Sequence, residues 1–154
     1  MAAGTDVYGN SIPGRQEKIF WSEKMDGLII KKKWLDLIVN GEKNIEIRGS
    51  DTKKIDQKIY LLESGTGRVR AECVIRATYP ISCSDWCEEI GRHCVDIPYS
   101  ELIKRYKNPY AWVLSEVEPI EDIWHYEHPK GAIVWVKNVK PVDEVQDERI
   151  RYGY

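Results

Sequence analysis

The sequence predicts a single domain of the α+β class, and three observations carry that prediction. Apolar residues recur at helical spacing in Trp34, Leu35, Leu37 and Ile38, and again through Leu102, Ile103 and Tyr106. Elsewhere they alternate with polar residues, as half-buried strands require, most clearly in Val69, Ala71, Cys73 and Ile75. The length of 154 residues, 42% of them hydrophobic, suits one core and no more. We divide the chain into a polar N-terminal arm (1–25), the domain proper (26–138) and a charged C-terminal tail (139–154).

The arm has no periodicity, and Ile19, Phe20 and Trp21 are its only apolar cluster. Next comes the apolar run Leu28, Ile29 and Ile30, followed by three lysines and the first helix. Asn40 and Gly41 end that helix, because glycine enters the left-handed conformation of a helix C-terminus without a Cβ penalty. The period then changes. Ile45 and Ile47 alternate with Glu46 and Arg48, so an extended Asn44–Arg48 turns the isoleucines to a core and projects Glu46 and Arg48 from the other face. Strict alternation would put Lys43 on the isoleucine face, so bringing it to Glu46 requires a twist after Gly41.

After a charged loop, Lys58–Leu62 reads as a strand, joined through Gly65-Thr66-Gly67 to the strand of Val69–Ile75. The outer face of that second strand carries Arg68, Arg70 and Arg76, either as ordinary solvation or as a phosphate-tracking stripe. Ser82 or Ser84 can cap a helix over Asp85–Ile90 that Gly91 stops, and a second helix runs from Pro98–Ser100 to Tyr106. Tyr110–Leu114 is a strand, Pro119 a break, Trp124–Lys130 an aromatic and His-containing loop, and Ala132–Val136 the last strand.

Composition narrows the function. With 23 basic against 25 acidic residues and a net charge of -2, the chain is not held to nucleic acid by bulk positive charge, so any such contact is a local patch. No run of 18 apolar residues and no basic start with an apolar core marks a membrane span or signal peptide, so a cytoplasmic protein is expected. Six Trp and nine Tyr beside one Phe suit wet interfaces and base stacking as well as ordinary packing. Cys83-x3-Cys87, with His93 and Cys94, has the ligand types of a zinc site but not the usual tight knuckle, and reads as reduced thiols. Neither a metal nor another cofactor is expected. His125 and His128 are polar loop residues whose imidazoles titrate near neutrality.

Gly41-x-Lys43-x-x-Glu46-x-Arg48, directly after a helix containing Trp34, resembles the signature of the ASCH domain family, a branch of the PUA-like superfold. Tyr110-Ala111-Trp112-Val113-Leu114 and Gly131-Ala132-Ile133-Val134-Trp135 resemble that family's C-terminal strands, so the likeness covers about residues 26 to 138. It implies a small PUA-like β-barrel with flanking helices and a cleft. It further implies RNA binding, coactivator-type interaction or, in some branches, hydrolysis of RNA or of a modified nucleoside.

Three functions follow. In the first, the cleft accepts single-stranded RNA or DNA, or a modified nucleoside. Trp34, Tyr110, Trp112 or Trp135 then forms a stacking wall, and Lys32, Lys33, Lys43 and Arg48 hold phosphate. Glu46 accepts from an exocyclic amine, and His128, in the loop before the last strand, touches the ligand. In the second, Lys43 and Glu46 are catalytic in an RNase or an amidohydrolase. The branch that deacetylates N4-acetylcytidine uses a lysine, a threonine and a glutamate. Lys43 matches the lysine, Glu46 stands at the threonine's position, and the later glutamate falls near Val95 and Asp96. In the third, the domain is a protein-interaction module. Oligomeric state is not legible.

Overall fold

The structure, a computed structural model, describes residues 24–142. The Ile19, Phe20 and Trp21 cluster of the arm, with nearly all of the C-terminal tail, lies outside the described residues.

Strand β1 (Gly27–Ile30) pairs in parallel with β3 (Lys58–Glu63) and antiparallel with the two-residue β6 (Trp135–Val136). This placement explains its unbroken apolar run. Leu28 and Ile30 face one core cluster with Leu35, Ile38, Ile59 and Leu61, while Ile29 faces a second with Tyr60, Leu62 and Val69. A strand covered on both faces has no polar side to alternate with.

Helix α1 (Lys32–Val39) lays Leu35 and Ile38 on the first cluster and ends where Gly41 takes φ +86°. β2 (Ile45–Arg48) then runs antiparallel to the start of β5 (Tyr110–His125), with Glu46 opposite Trp112 and Arg48 opposite Tyr110. β3 and β4 (Arg68–Pro80) form the expected hairpin. Val69, Ala71, Cys73 and Ile75 of β4 are buried as their alternation requires.

Between β4 and β5 lie α2 (Cys83–Glu88), α3 (Ile90–His93) and α4 (Tyr99–Arg105). Ser82 caps α2: its hydroxyl accepts from the Asp85 N–H while Asp85 accepts from the Ser82 N–H, so two otherwise orphaned donors are satisfied. Trp86 and Leu102 from these helices cover Ile45, Ile47 and Ala111 in a third cluster.

Four expectations need correction. The sheet is mixed and six-stranded, in the order β2-β5-β4-β3-β1-β6, and it does not close into a barrel. Its edge strands β2 and β6 have four and two residues, and no ladder joins them. Where a further strand would hydrogen-bond to β1, the Arg48 guanidinium donates to the Ile29 carbonyl at 2.9 Å.

Pro119 does not break β5. It pairs with Ala71 between two register shifts, past the four residues that contact β2, where β5 has one neighbour and a missing N–H costs no ladder bond on the open side. Gly91 lies inside α3, and Cys94, at φ +62°, is the left-handed cap instead. The last strand is Trp135–Val136 only: the chain bends at Ile133 and Val134, which are exposed, and of these the Val134 carbonyl alone accepts from β1, from the Ile29 N–H.

The arginines of β4 are engaged by carboxylates. Arg70 donates to Glu63 at 2.5 Å and to Asp36 at 2.9 Å, Arg76 pairs with Asp56 and Glu116, and Arg68 lies 3.9 Å from Glu63. A free phosphate-tracking stripe is therefore not what β4 presents.

Candidate functional site

Because the sheet stays open, a seam remains between β2 and β1, and it forms a cleft of about 710 Å³. That volume is within the usual range for small-ligand sites. β2, the β1–α1 turn, α4, β5 and the segment before β6 all contribute to its walls.

Its polar floor comes from the loop and strand after α1. The turn at Gly41 returns both the Glu42 and Lys43 N–H groups to the Leu37 carbonyl, which takes Lys43 off the alternation of β2. The Lys43 ammonium donates to the His93 carbonyl at 2.6 Å and sits 3.6 Å from Glu46 Oε1. It also lies 5.1 Å from the centroid of Trp34. Only 1% of Lys43 is exposed, so the ammonium depends on these partners. Glu46 Oε2 accepts from Arg48 Nη2 at 2.8 Å and Nε at 3.2 Å. Arg48 lies over Trp112, 5.8 Å from the ring centroid.

Burial pushes the Lys43 pKa below its ordinary value of 10.5; Glu46 and Cys94 oppose this without cancelling it, and Arg48 adds to it. An amine in that condition gives up its proton more readily, as a general base or nucleophile must. The unfolded chain binds more protons than the folded one between the lowered pKa and 10.5, so Lys43 makes stability rise with pH across that window. Lys43→Met is expected to flatten that rise relative to the native chain in urea unfolding between about pH 7 and 10. Parallel curves would mean that Lys43 keeps an ordinary pKa.

Aromatic rings stand above this floor. Trp112 is buried, its Nε1–H donates to the Ser50 carbonyl, and its ring stacks on Trp135 with centroids 6.0 Å apart and planes 20° apart. Trp34 and Tyr106 line the cleft too. Gly49 admits Tyr106, since a Cβ there would lie 2.8 Å from its ring.

Trp34, Lys43, Glu46, Arg48, Trp112 and Trp135 thus converge on one cleft. The other candidates lie elsewhere. Lys32 is exposed and paired with Asp36 at 2.6 Å, and Lys33 sits over Trp34 with 4.6 Å to the centroid. Tyr110 packs against the first core cluster. His128 is exposed outside the cleft lining, hydrogen-bonded to Tyr126 and to the Ala132 carbonyl.

His93 is a satisfied core histidine. The Val95 N–H donates to Nδ1, so Nε2 carries the proton and donates to the Trp86 carbonyl, with the ring stacked on Trp86. Neither nitrogen is left for a metal beside Cys83 and Cys87. Lys31 and Arg105 line the cleft although no pattern singled them out, and Val95, near which the resemblance puts the later glutamate, lines it as well. Their signal is spatial, since the turn before α1 and the helical excursion meet there only after folding.

A family model described as the ASCH domain matches residues 28–124. The fold is similar to the crystal structure of ASCH from Zymomonas mobilis, with TM-score 0.55 and 10% identity over 83% of this chain and 94% of that one. It is also similar to a serine-to-alanine variant of that protein (TM-score 0.55, 11% identity, covering 83% of this chain and 94% of that one) and to a tyrosine-to-phenylalanine variant (TM-score 0.51, 14% identity, covering 86% and 84%). No curated protein matches the sequence.

Proposed function

This chain belongs to the ASCH domain family, and from that premise we propose that its cleft binds single-stranded nucleic acid by admitting one unpaired or modified base. The observation that carries this reading is the pairing of aromatic walls with a charged floor. Trp135 is partly exposed, with its ring stacked on Trp112 and the Lys54 ammonium 5.1 Å from its centroid, and it supplies an aromatic wall. Glu46 Oε1 lies 3.6 Å from the Lys43 ammonium and accepts no hydrogen bond from Arg48, so it keeps accepting capacity for an N–H from the edge of a base. Unpaired bases expose both a face to stack and an edge to read, whereas duplex bases expose neither fully.

Fluorescence anisotropy with short RNA and DNA strands, and calorimetry with modified nucleosides, test it at about 50 mM salt, where electrostatic binding is strong. Trp135→Ala is expected to weaken binding by about 1–3 kcal/mol, roughly 5- to 150-fold, for one lost stack. Absence of binding to every probe would overturn the reading and leave a protein-interaction module.

Lys43 supports a second reading, hydrolysis of the bound strand or nucleoside. A lysine buried in a cleft with a lowered pKa and a carboxylate at 3.6 Å has the makings of a base or nucleophile. The resemblance puts the glutamate of the deacetylase branch near Val95 and Asp96, and the apolar Val95 is the one of these that lines the cleft, so Glu46 would be the acidic partner. Turnover abolished by both Lys43→Met and Glu46→Gln would establish this chemistry. Binding without turnover would leave a reader.

A further inference from the structure

Among the described residues, six charged side chains line the cleft: the cations Lys31, Lys43, Arg48 and Arg105 and the carboxylates Glu46 and Asp51. Four of them are engaged. Glu46 lies against both Lys43 and Arg48, and Asp51 accepts from the Thr78 hydroxyl and the Thr52 N–H. Lys31 and Arg105 are exposed, and neither has a carboxylate partner among the described residues. They arise from separate elements, the β1–α1 turn and the last residue of α4. In a chain with more acidic than basic residues, the cleft is a local site of positive charge whose two uncommitted cations stand at its solvent side.

We propose that Lys31 and Arg105 form a two-cation clamp for the phosphates flanking the base held in the cleft. This inference rests on the nucleic-acid reading and adds to it the path of the strand. The backbone passes over the β1–α1 turn and the end of α4, while Lys43 and Arg48 remain below as part of the base pocket. Buried and carboxylate-paired cations have little charge to offer a phosphate. Exposed, unpaired ones release counterions when they neutralise it. Phosphate contacts of this kind fix register, and the pocket selects the base. The long stem of Lys31 and the planar fork of Arg105 both suit phosphate oxygens.

The salt dependence of binding tests the clamp. On a single strand each neutralised phosphate contributes about 0.7 to the slope of log affinity against log salt. Lys31→Gln and Arg105→Gln are each expected to lower the slope by about 0.7, and the double variant by about 1.4. Lys104→Gln, beside Arg105 but paired with Glu101, is the control expected to leave it unchanged. Binding of an uncharged nucleoside is expected to be the same in all variants, because it has no phosphate.

Oligonucleotide binding with an unchanged slope in the double variant would overturn the clamp and leave the base pocket standing. A parallel loss of nucleoside affinity would also overturn it, placing the two residues in the pocket itself. Failure of the native chain to bind either probe would remove the clamp together with the reading beneath it.

Discussion

Glu46→Ala is expected to destabilise the domain by about 3–5 kcal/mol, the usual result of removing one partner from a buried ion pair. Glu46 is 6% exposed, and it is the carboxylate within reach of both the Lys43 ammonium and the Arg48 guanidinium. Without it, Lys43 retains the His93 carbonyl and Arg48 the Ile29 carbonyl, so each cation keeps a hydrogen bond but loses its counter-charge. The Lys43 pKa, already lowered by burial, is then driven further down. Glu46→Gln preserves an acceptor for Arg48 and is expected to fall between alanine and the native chain. Urea unfolding at neutral pH measures both. A loss below about 1 kcal/mol for the alanine variant would show a pair that water screens, as at a surface, and with it a cleft floor too wet to organise a base.

This carboxylate also marks how far sequence reasoning reaches. The period change after Gly41 correctly assigns Ile45 and Ile47 to a core and Glu46 and Arg48 to the opposite face, because a strand's alternation is local. What lies opposite that face is not local. The cleft exists because β2 stops after four residues and never meets β6, and both facts depend on segments more than 80 residues apart in the chain. Alternation identifies β4 for the same local reason. Its arginine face is ambiguous until Asp36, Asp56, Glu63 and Glu116 arrive from four other segments to claim it.

Where local chemistry misleads, a tertiary reason is visible. Pro119 signals a break, yet it costs little on a strand that by then has one neighbour and an irregular register. Ile133 and Val134 have the composition of a strand, but they sit exposed on the rim of the cleft beside Trp135. Gly91 reads as a helix stop, but the left-handed turn falls on Cys94. Lys31 and Lys32 are neighbours of identical type. The i,i+4 spacing within α1 gives Lys32 to Asp36, which is a local signal, whereas only the fold brings Lys31 to the cleft.

Arg70→Met is expected to cost a further 3–5 kcal/mol or so at neutral pH, and its signature is an inverted response to acid. Arg70 joins three elements, donating from β4 to Glu63 of β3 and to Asp36 of α1. Glu63 is fully buried, and its Oε2 has no hydrogen-bond partner among the described residues. In the native protein burial pushes the Glu63 pKa up, but hydrogen bonding from Thr66 and Arg70 and the charge of Arg68 hold it below its ordinary 4.5. The folded carboxylate therefore releases its proton more readily than the unfolded one. Its contribution to stability is complete above about pH 4.5 and declines as pH falls through the lowered value. Once Arg70 is gone, Thr66 and, among the described residues, the Arg68 cation at 3.9 Å are left to oppose burial of Glu63, and burial is expected to prevail. The folded pKa then rises above 4.5, the folded state binds the extra proton, and mild acid becomes stabilising relative to neutral pH. The native chain is expected to show no such gain between about pH 7 and 5, whereas Arg70→Met recovers part of its loss over that interval. Adding Glu63→Gln is expected to restore stability at pH 7 and abolish the pH dependence, since no buried charge is left to neutralise. Urea midpoints at both pH values for the native chain, the single variants and the double variant complete the cycle. A single variant that loses stability equally at both pH values would show that Arg70 acts through packing of its stem and not as the counter-ion of Glu63.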